Sequence, residues 1–230
     1  MHYRALFFDA DDTLFDYPAA EKAALQQCVL QFGIDARMET LLASYRAHNA
    51  AVWQAFERGE LSQRELRVER FRRLARELPM PGLELEELSD AYLQALSGQS
   101  HVYDGAETFI AELAVLAPLA IVTNGIAAVQ RGRFALAPFM EHFSAVVISE
   151  EAGFAKPDPR IFDGALDALG VTAADVLFIG DGVSSDMAAA QNAGMDFCWY
   201  NPAGLPVPDG HAPRFIARDY DEIRVHLGLI

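Results

Sequence analysis

Four apolar runs of strand length, at residues 119–123, 145–148, 176–179 and 197–200, alternate with helical stretches near residues 107–116, 127–136, 160–169 and 184–193. Such near-continuous runs are apolar on both faces, so neither face of the strand can lie against water. A parallel sheet covered by helices on both sides is the arrangement that buries them. Ala5-Leu6-Phe7-Phe8 is a fifth run of this kind, long enough for a buried strand and too short for an ordinary helix. A Pro- and Gly-rich loop over residues 201–213 leads to a last short strand at 215–217 and a closing helix at 219–227.

The stretch from Ala19 to Leu96 has a different texture and reads as helical throughout. One helix opens at Ala19 after Pro18, and a second covers residues 38–56. A third runs from Ser62 to Leu78, with Glu65 placed three residues after Ser62 for a capping box. Pro79-Met80-Pro81-Gly82 breaks the chain before a fourth at residues 85–96. Four helices joined by short connections form a small bundle. The bundle is therefore expected as an insertion after the first strand: residues 1–15 and 100–230 make the α/β core, and residues 16–99 the helical domain.

Composition narrows the classes of function. Hydrophobic residues make up 52% of the 230, which excludes wholesale disorder. No apolar run approaches the roughly 20 residues that span a bilayer. The N-terminal segment runs directly into a strand, without the basic, apolar and small-residue regions of a secretory signal. Cys28 and Cys198 are far apart in apolar surroundings, which suits two reduced thiols better than a disulfide framework or a zinc site. A cytoplasmic location is expected on these grounds. With 18 Lys plus Arg against 33 Asp plus Glu, the formal net charge is −15, which argues against a nucleic-acid polymer or an anionic membrane as partner. A small anionic substrate stays open, provided the fold builds a local positive site for it.

The strand ends carry the chemistry. The first strand runs into Asp9, Asp11 and Asp12, three carboxylates within four positions. Residues two apart in an extended segment point to the same side, so Asp9 and Asp11 can address one atom. Like charges this close need a divalent cation, a cationic side chain or a raised pKa. Past the second strand comes Thr123-Asn124-Gly125, a hydroxyl and exposed amides ahead of a helix, suited to an anion. After the third lies Ala155-Lys156-Pro157-Asp158-Pro159, and after the fourth Gly180-Asp181, with Asp186 five residues further on. In open parallel sheets, ligands bind outside the carboxyl ends of the strands, which gathers these groups on one edge.

In this order, D-x-D-x-T at Asp9-Ala10-Asp11-Asp12-Thr13, then Thr123-Asn124, Lys156, and Asp181 with Asp186, the chain resembles the haloacid dehalogenase superfamily along essentially its whole length. The resemblance implies an α/β fold with a Rossmann-like parallel-sheet core and an inserted helical-bundle cap of type one. It also implies a phosphotransfer mechanism. Asp9 would attack phosphorus to form an aspartyl-phosphate, and Asp11 would serve the leaving oxygen and then the water as acid and base. Mg2+ would bind the Asp9 carboxylate, the Asp11 backbone carbonyl and the Asp181 carboxylate. Lys156 would offset charge on Asp9 and the phosphoryl oxygens, Thr123 and the Asn124 amide would hold the phosphate, and Asp186 would orient Lys156 or a metal-bound water. Asp12 reads as a turn residue.

Asp11 also separates reaction classes. Dehalogenases that start similarly read D-A-Y-G-T and lack that second acid, so dehalogenation falls behind phosphate chemistry. A sugar phosphomutase also ranks lower, because it would need cap residues suited to rebinding an intermediate. Residues 7–15, 121–125, 147–153 and 155–157, with Cys198-Trp199, resemble the superfamily's pyrimidine 5'-nucleotidase group. The expected substrate is therefore a small-molecule phosphomonoester, foremost a nucleoside 5'-monophosphate, with a phosphosugar or phosphoglycolate as the alternative. Trp53, Phe56, the Glu57-Arg58-Gly59-Glu60 turn and Tyr17 at the hinge are candidates for contact with a base. Trp53 and Phe56, three apart on a helix, read more readily as core. Arg64, Arg67, Arg70, Arg72, Arg73 and Arg76 read mostly as a solvated face, and His48 and His101 as structural.

Overall fold

The computed structural model describes residues 2–78, Met80 and residues 82–230. Its elements run β1 (Ala5–Phe8), α1 (Tyr17–Phe32), α2 (Met38–Glu57), α3 (Gln63–Glu77), α4 (Leu85–Ser97), α5 (Ala106–Ala114), β2 (Leu119–Thr123), α6 (Ala127–Ala135) and β3 (Phe143–Ile148). The chain continues through α7 (Ser149–Ala152), α8 (Asp163–Leu169), β4 (Val176–Gly180), α9 (Ala188–Ala193), β5 (Asp196–Tyr200), β6 (Phe215–Ala217) and α10 (Tyr220–Leu227). Every apolar run singled out in the sequence is a strand. The break around Pro79 and Pro81 lies outside the described residues at those two positions.

Among the described residues the sheet has six strands, all parallel, in the order β3-β2-β1-β4-β5-β6. β1, β2 and β4 are buried along their whole length, as their two-sided apolarity requires. Side chains alternate across β1: Phe7 joins a cluster with Phe162, Phe178 and Phe197, while Phe8 meets the edges of Phe109 and Phe143, each at 6.1 Å. The winding reverses between β1 and β4, with β2 and β3 added on one side and β5 and β6 on the other. The crevice beyond the carboxyl ends of β1 and β4 is thus the topological switch point, where α/β sheets take their ligands.

The chain divides into two compact units. One comprises the residues up to Tyr17, His101–Ala127 and Ala137–Ile230; the other comprises Pro18–Ser100 and Ala128–Leu136. The sequence bounds placed 128–136 with the core, whereas most of α6 groups with the helical unit. The cause is local packing. Gly132 sits so close to the end of α4 that a Cβ there would come within 2.8 Å of the Ser97 carbonyl oxygen. Arg133, fully buried, donates from Nε to the Gln99 carbonyl at 3.1 Å and from Nη1 to Gln130 Oε1 at 2.9 Å.

The helical unit is built around Tyr45, Phe71 and Tyr92, whose ring centroids lie 5.2–5.5 Å apart. Ser62 and Glu65 form the expected capping box at the start of α3. The reading of the α3 arginines as a solvated face needs one correction. Arg70 is 1% exposed. Its guanidinium donates to Asn49 Oδ1 at 3.2 Å and to the Arg67 carbonyl at 3.2 Å, and lies over the Tyr92 ring at 5.0 Å. Polar partners and an aromatic face together make that burial tolerable. His48 is tied to Glu77, which also accepts from Ser44, so it pins α2 to α3. No helix among the described residues is long and apolar enough to cross a membrane.

Candidate active site

Asp9 is the first residue past β1, 8% exposed, with its amide donating to the Ile179 carbonyl of β4 at 2.9 Å. Lys156 reaches it from the loop after β3. Its Nζ lies 2.6 Å from Asp9 Oδ1, 2.7 Å from Asp186 Oδ1, and 3.0 Å from the Val122 carbonyl of β2. One buried ammonium therefore sits between two carboxylates from different strand ends.

The main chain of Lys156 is held by Asn124. The Asn124 side chain donates from Nδ2 to the Lys156 carbonyl at 2.9 Å and accepts from the Lys156 amide at 2.8 Å. The sequence assigned Asn124 to phosphate through its amide; its side chain is committed to the lysine loop, a role nothing in the local sequence signals. Thr123, 1% exposed, ends β2 beside it. Ser149 Oγ accepts from the Gly125 amide at 3.1 Å, fixing the turn that follows, and Glu150 Oε2 accepts from the Ala127 amide at 2.6 Å at the start of α6.

Past β4, Asp181 accepts from Thr13 Oγ1 at 3.3 Å through its carboxylate and from Trp199 Nε1 at 2.9 Å through its carbonyl. Asp186 lies in the tight π turn Val183–Met187 ahead of α9, fully buried, and its Oδ2 accepts from the Gly182 amide at 2.8 Å. It fits against the strand end only because Gly180 has no side chain: a Cβ there would stand 2.5 Å from Asp186 Oδ2. The glycine of Gly180-Asp181 is thus explained by Asp186.

Carboxylate oxygens of Asp9, Asp181 and Asp186 all lie within 4.8 Å of one another. Of the three, the sequence placed Asp9 and Asp181 on a metal and gave Asp186 to Lys156 or a metal-bound water; in the structure Asp186 pairs with Lys156 and lies within reach of the same cluster. Asp11 is half-buried on the turn after Asp9, where its charge is felt at Asp9. Asp12 takes a left-handed φ of 59°, uncommon outside glycine, and its amide closes the turn on the Phe15 carbonyl at 2.9 Å. That is the scaffold role read from the sequence, reinforced by Tyr103, whose hydroxyl donates to Asp12 Oδ1 at 3.3 Å.

Electrostatics follow from this crowding. Burial and the Asp186 charge push the Asp9 carboxyl well above the ordinary carboxylate range, and the Lys156 ammonium opposes them. Asp181 is pushed up by burial and by the charges of Asp186, Asp9 and Asp12. Burial pulls the Lys156 ammonium down, but Asp186 and Asp9 outweigh it and hold the lysine charged above its usual range. One lysine against three carboxylates leaves an acidic excess. An all-oxygen donor set with that excess suits a hard divalent cation.

Of the candidates for base contact, Trp53 and Phe56 lie on α2 in the helical unit, half-buried and packed edge-on at 5.7 Å. Tyr17 opens α1. Arg58 and Glu60, in the turn after α2, pair with each other at 2.6 Å in solvent.

The haloacid dehalogenase-like hydrolase family matches residues 3–194. The chain is 31% identical over 224 residues to pyrimidine 5'-nucleotidase YjjG of Escherichia coli (strain K12), covering 97% of each chain. It is 32% identical over 227 residues to pyrimidine 5'-nucleotidase PynA of Streptococcus pneumoniae (strain ATCC BAA-255 / R6), covering 97% of this chain and 94% of that one. Among solved structures, the magnesium-bound putative HAD-hydrolase YfnB of Bacillus subtilis superposes with a TM-score of 0.92 at 31% identity, covering 99% of both chains.

Proposed function

The chain belongs to the haloacid dehalogenase-like hydrolase family, and from that premise we propose that it is a Mg2+-dependent phosphomonoesterase acting on nucleoside 5'-monophosphates, with pyrimidine nucleotides foremost. The observation that carries the phosphatase reading is the pairing of Lys156 Nζ with Asp9 Oδ1 at 2.6 Å, beside a second acid at Asp11. Asp9 is the nucleophile. Lys156 favours the ionised form of Asp9, against the larger effects of burial and the Asp186 charge.

In the first half-reaction an Asp9 carboxylate oxygen bonds to phosphorus as the bond to the ester oxygen breaks, and Asp11 in its acid form protonates the departing alcohol. In the second, the Asp11 carboxylate takes a proton from water, whose oxygen bonds to phosphorus as the bond to Asp9 breaks. Inorganic phosphate leaves, with Asp9 ionised and Asp11 protonated as at the start. Lys156 and the Thr123 hydroxyl face the phosphoryl oxygens, and the Asn124 side chain holds the lysine loop in register. Asp9, Asp181 and the Asp11 carbonyl would hold Mg2+, with Asp186 reserved for Lys156. When bound, the cation supplies further positive charge where phosphoryl oxygens gather it.

Identity of 31% and 32% to two pyrimidine 5'-nucleotidases over nearly the whole chain supports the nucleotide reading, because both align across the helical unit as well as the core. Two buried free thiols accord with a cytoplasmic enzyme. A phosphate-release screen over nucleoside monophosphates, phosphosugars and phosphoglycolate with Mg2+ tests the assignment. Preference for UMP, dUMP or dTMP supports it; equal rates across the panel overturn the nucleotidase reading, and no release from any ester overturns the phosphatase reading.

A further inference from the structure

Two aromatic side chains outside the four strand-end motifs hold the acidic cluster from behind. Trp199, on β5 in register with Gly180 of β4, is 2% exposed, and its indole N–H donates to the Asp181 carbonyl at 2.9 Å. An indole nitrogen only donates, and when buried it needs an acceptor, so this contact fixes both partners. Tyr220, at the start of α10, donates its hydroxyl to the buried Thr13 carbonyl at 2.8 Å. Thr13 is itself fully buried and donates from Oγ1 to Asp181 Oδ1. The Tyr220 ring is held between Phe109, at 4.7 Å and 16°, and Tyr200, at 5.5 Å and 12°, which aims the hydroxyl at the nucleophile turn. Burial keeps that hydroxyl well above its ordinary pKa, so it stays a donor at every working pH. Asp181 is thus held at its carbonyl from β5 and at its carboxylate, through Thr13, from α10.

Such a grip matters for a ligand to a small cation. Mg2+ requires near-ideal octahedral geometry, and its affinity falls when a carboxylate is free to drift. We infer that Trp199 and Tyr220 are positioning residues for Asp181, one through its carbonyl and one through Thr13, and that they set how tightly the cluster of Asp9 and Asp181 holds a divalent cation. This rests on the reading of that cluster as a cation site.

The test is calorimetric titration of the full chain with MgCl2, for the unaltered protein and for Trp199→Phe and Tyr220→Phe. Both remove the donor; Tyr220→Phe keeps its ring, and Trp199→Phe puts a smaller ring in place of the indole. Leu66→Ala, in α3 of the helical unit, serves as a control for general destabilisation. Each aromatic variant is expected to weaken Mg2+ binding by about tenfold, with KM for the phosphate ester unchanged at saturating Mg2+. Leu66→Ala is expected to lower Tm and leave Mg2+ affinity where it was. If one aromatic variant does not fold, the other decides. Unaltered Mg2+ affinity in the folded variants overturns the inference alone; absence of Mg2+ binding by the unaltered protein overturns the cation-site reading and the inference with it.

Discussion

Asn124 and Lys156 grip each other by two hydrogen bonds running in opposite directions, side-chain amide to main-chain carbonyl at 2.9 Å and main-chain amide to side-chain oxygen at 2.8 Å. The pairing joins the turn after β2 to the loop after β3 and fixes where the lysine begins its reach. Asn124→Ala removes both bonds and leaves two main-chain groups without partners, at a cost of about 1–3 kcal/mol. Misplaced by a fraction of an ångström, Nζ would serve Asp9 and the phosphoryl group less well, and kcat is expected to fall by about 10- to 100-fold. Thermal melting and steady-state kinetics on the variant check both values. Wild-type kcat would show that Lys156 is positioned by something else.

Lys156→Met leaves Asp9 and Asp186 facing one another without their shared cation. Breaking a buried ion pair from one side typically costs roughly 3–5 kcal/mol. The deficit has a definite pH dependence. Asp9 already has its folded pKa raised above the ordinary 3.8, and loss of the ammonium raises it further. An acid with a raised folded pKa stabilises the fold most at low pH, and that contribution is lost as pH rises towards the folded pKa. The Tm gap between variant and wild type should therefore be widest near pH 8 and narrow towards pH 5. A gap that widens on acidification would contradict the assignment.

The same sign governs the response to Mg2+. Asp181, raised by burial and by Asp186, Asp9 and Asp12, destabilises the metal-free fold progressively as pH climbs above 3.8. A bound cation cancels that repulsion and binds better as the carboxylates ionise. At a free concentration about 100 times Kd it adds about 2.7 kcal/mol. Differential scanning fluorimetry with and without Mg2+ should show the larger Tm rise at pH 8 and a smaller one at pH 5.5. Equal rises at both would mean that the cation binds away from these acids.

Gly180→Ala puts a methyl group 2.5 Å from Asp186 Oδ2 at a buried strand end, so Asp186 must shift. Overpacking of this kind typically costs about 1–3 kcal/mol. Because Asp186 is the group displaced, kcat should fall along with Tm. An Asp186→Ala, Gly180→Ala double variant should recover Tm relative to the sum of the two single changes, since the carboxylate is gone and the tightest contact left is to the Cβ of residue 186, at 3.0 Å. Strict additivity in thermal melts would show that the methyl group meets something other than Asp186.

The pattern of residues that made the fold legible is local. Two-sided apolar runs such as Leu119–Thr123 identify buried parallel strands, and Ser62 with Glu65 marks the start of α3 because a capping box needs only four consecutive residues. Asp9 and Asp181 were legible for a related reason: each immediately follows a strand, so the sheet edge collects them, and Lys156 comes from the loop that follows β3 and α7. What the sequence concealed depends on partners distant along the chain. The Asn124 side chain answers to Lys156, Tyr220 to Thr13 and Trp199 to Asp181, and no spacing rule links residues that only the sheet order brings together. Gly132, which seats α6 against the end of α4, and Arg70, which looked solvated among five other arginines, were hidden for the same reason.

Turnover depends on Asp9 as the nucleophile, and Asp9→Asn tests that most directly. The change preserves shape, and Lys156 keeps Asp186 as a counter-ion at 2.7 Å, so the fold has no reason to fail. Phosphate release from UMP and from a generic aryl phosphate, measured alongside circular dichroism and Tm, is expected to fall to background in a protein that melts as the wild type does. Hydrolysis of either ester at the wild-type rate would contradict the covalent mechanism.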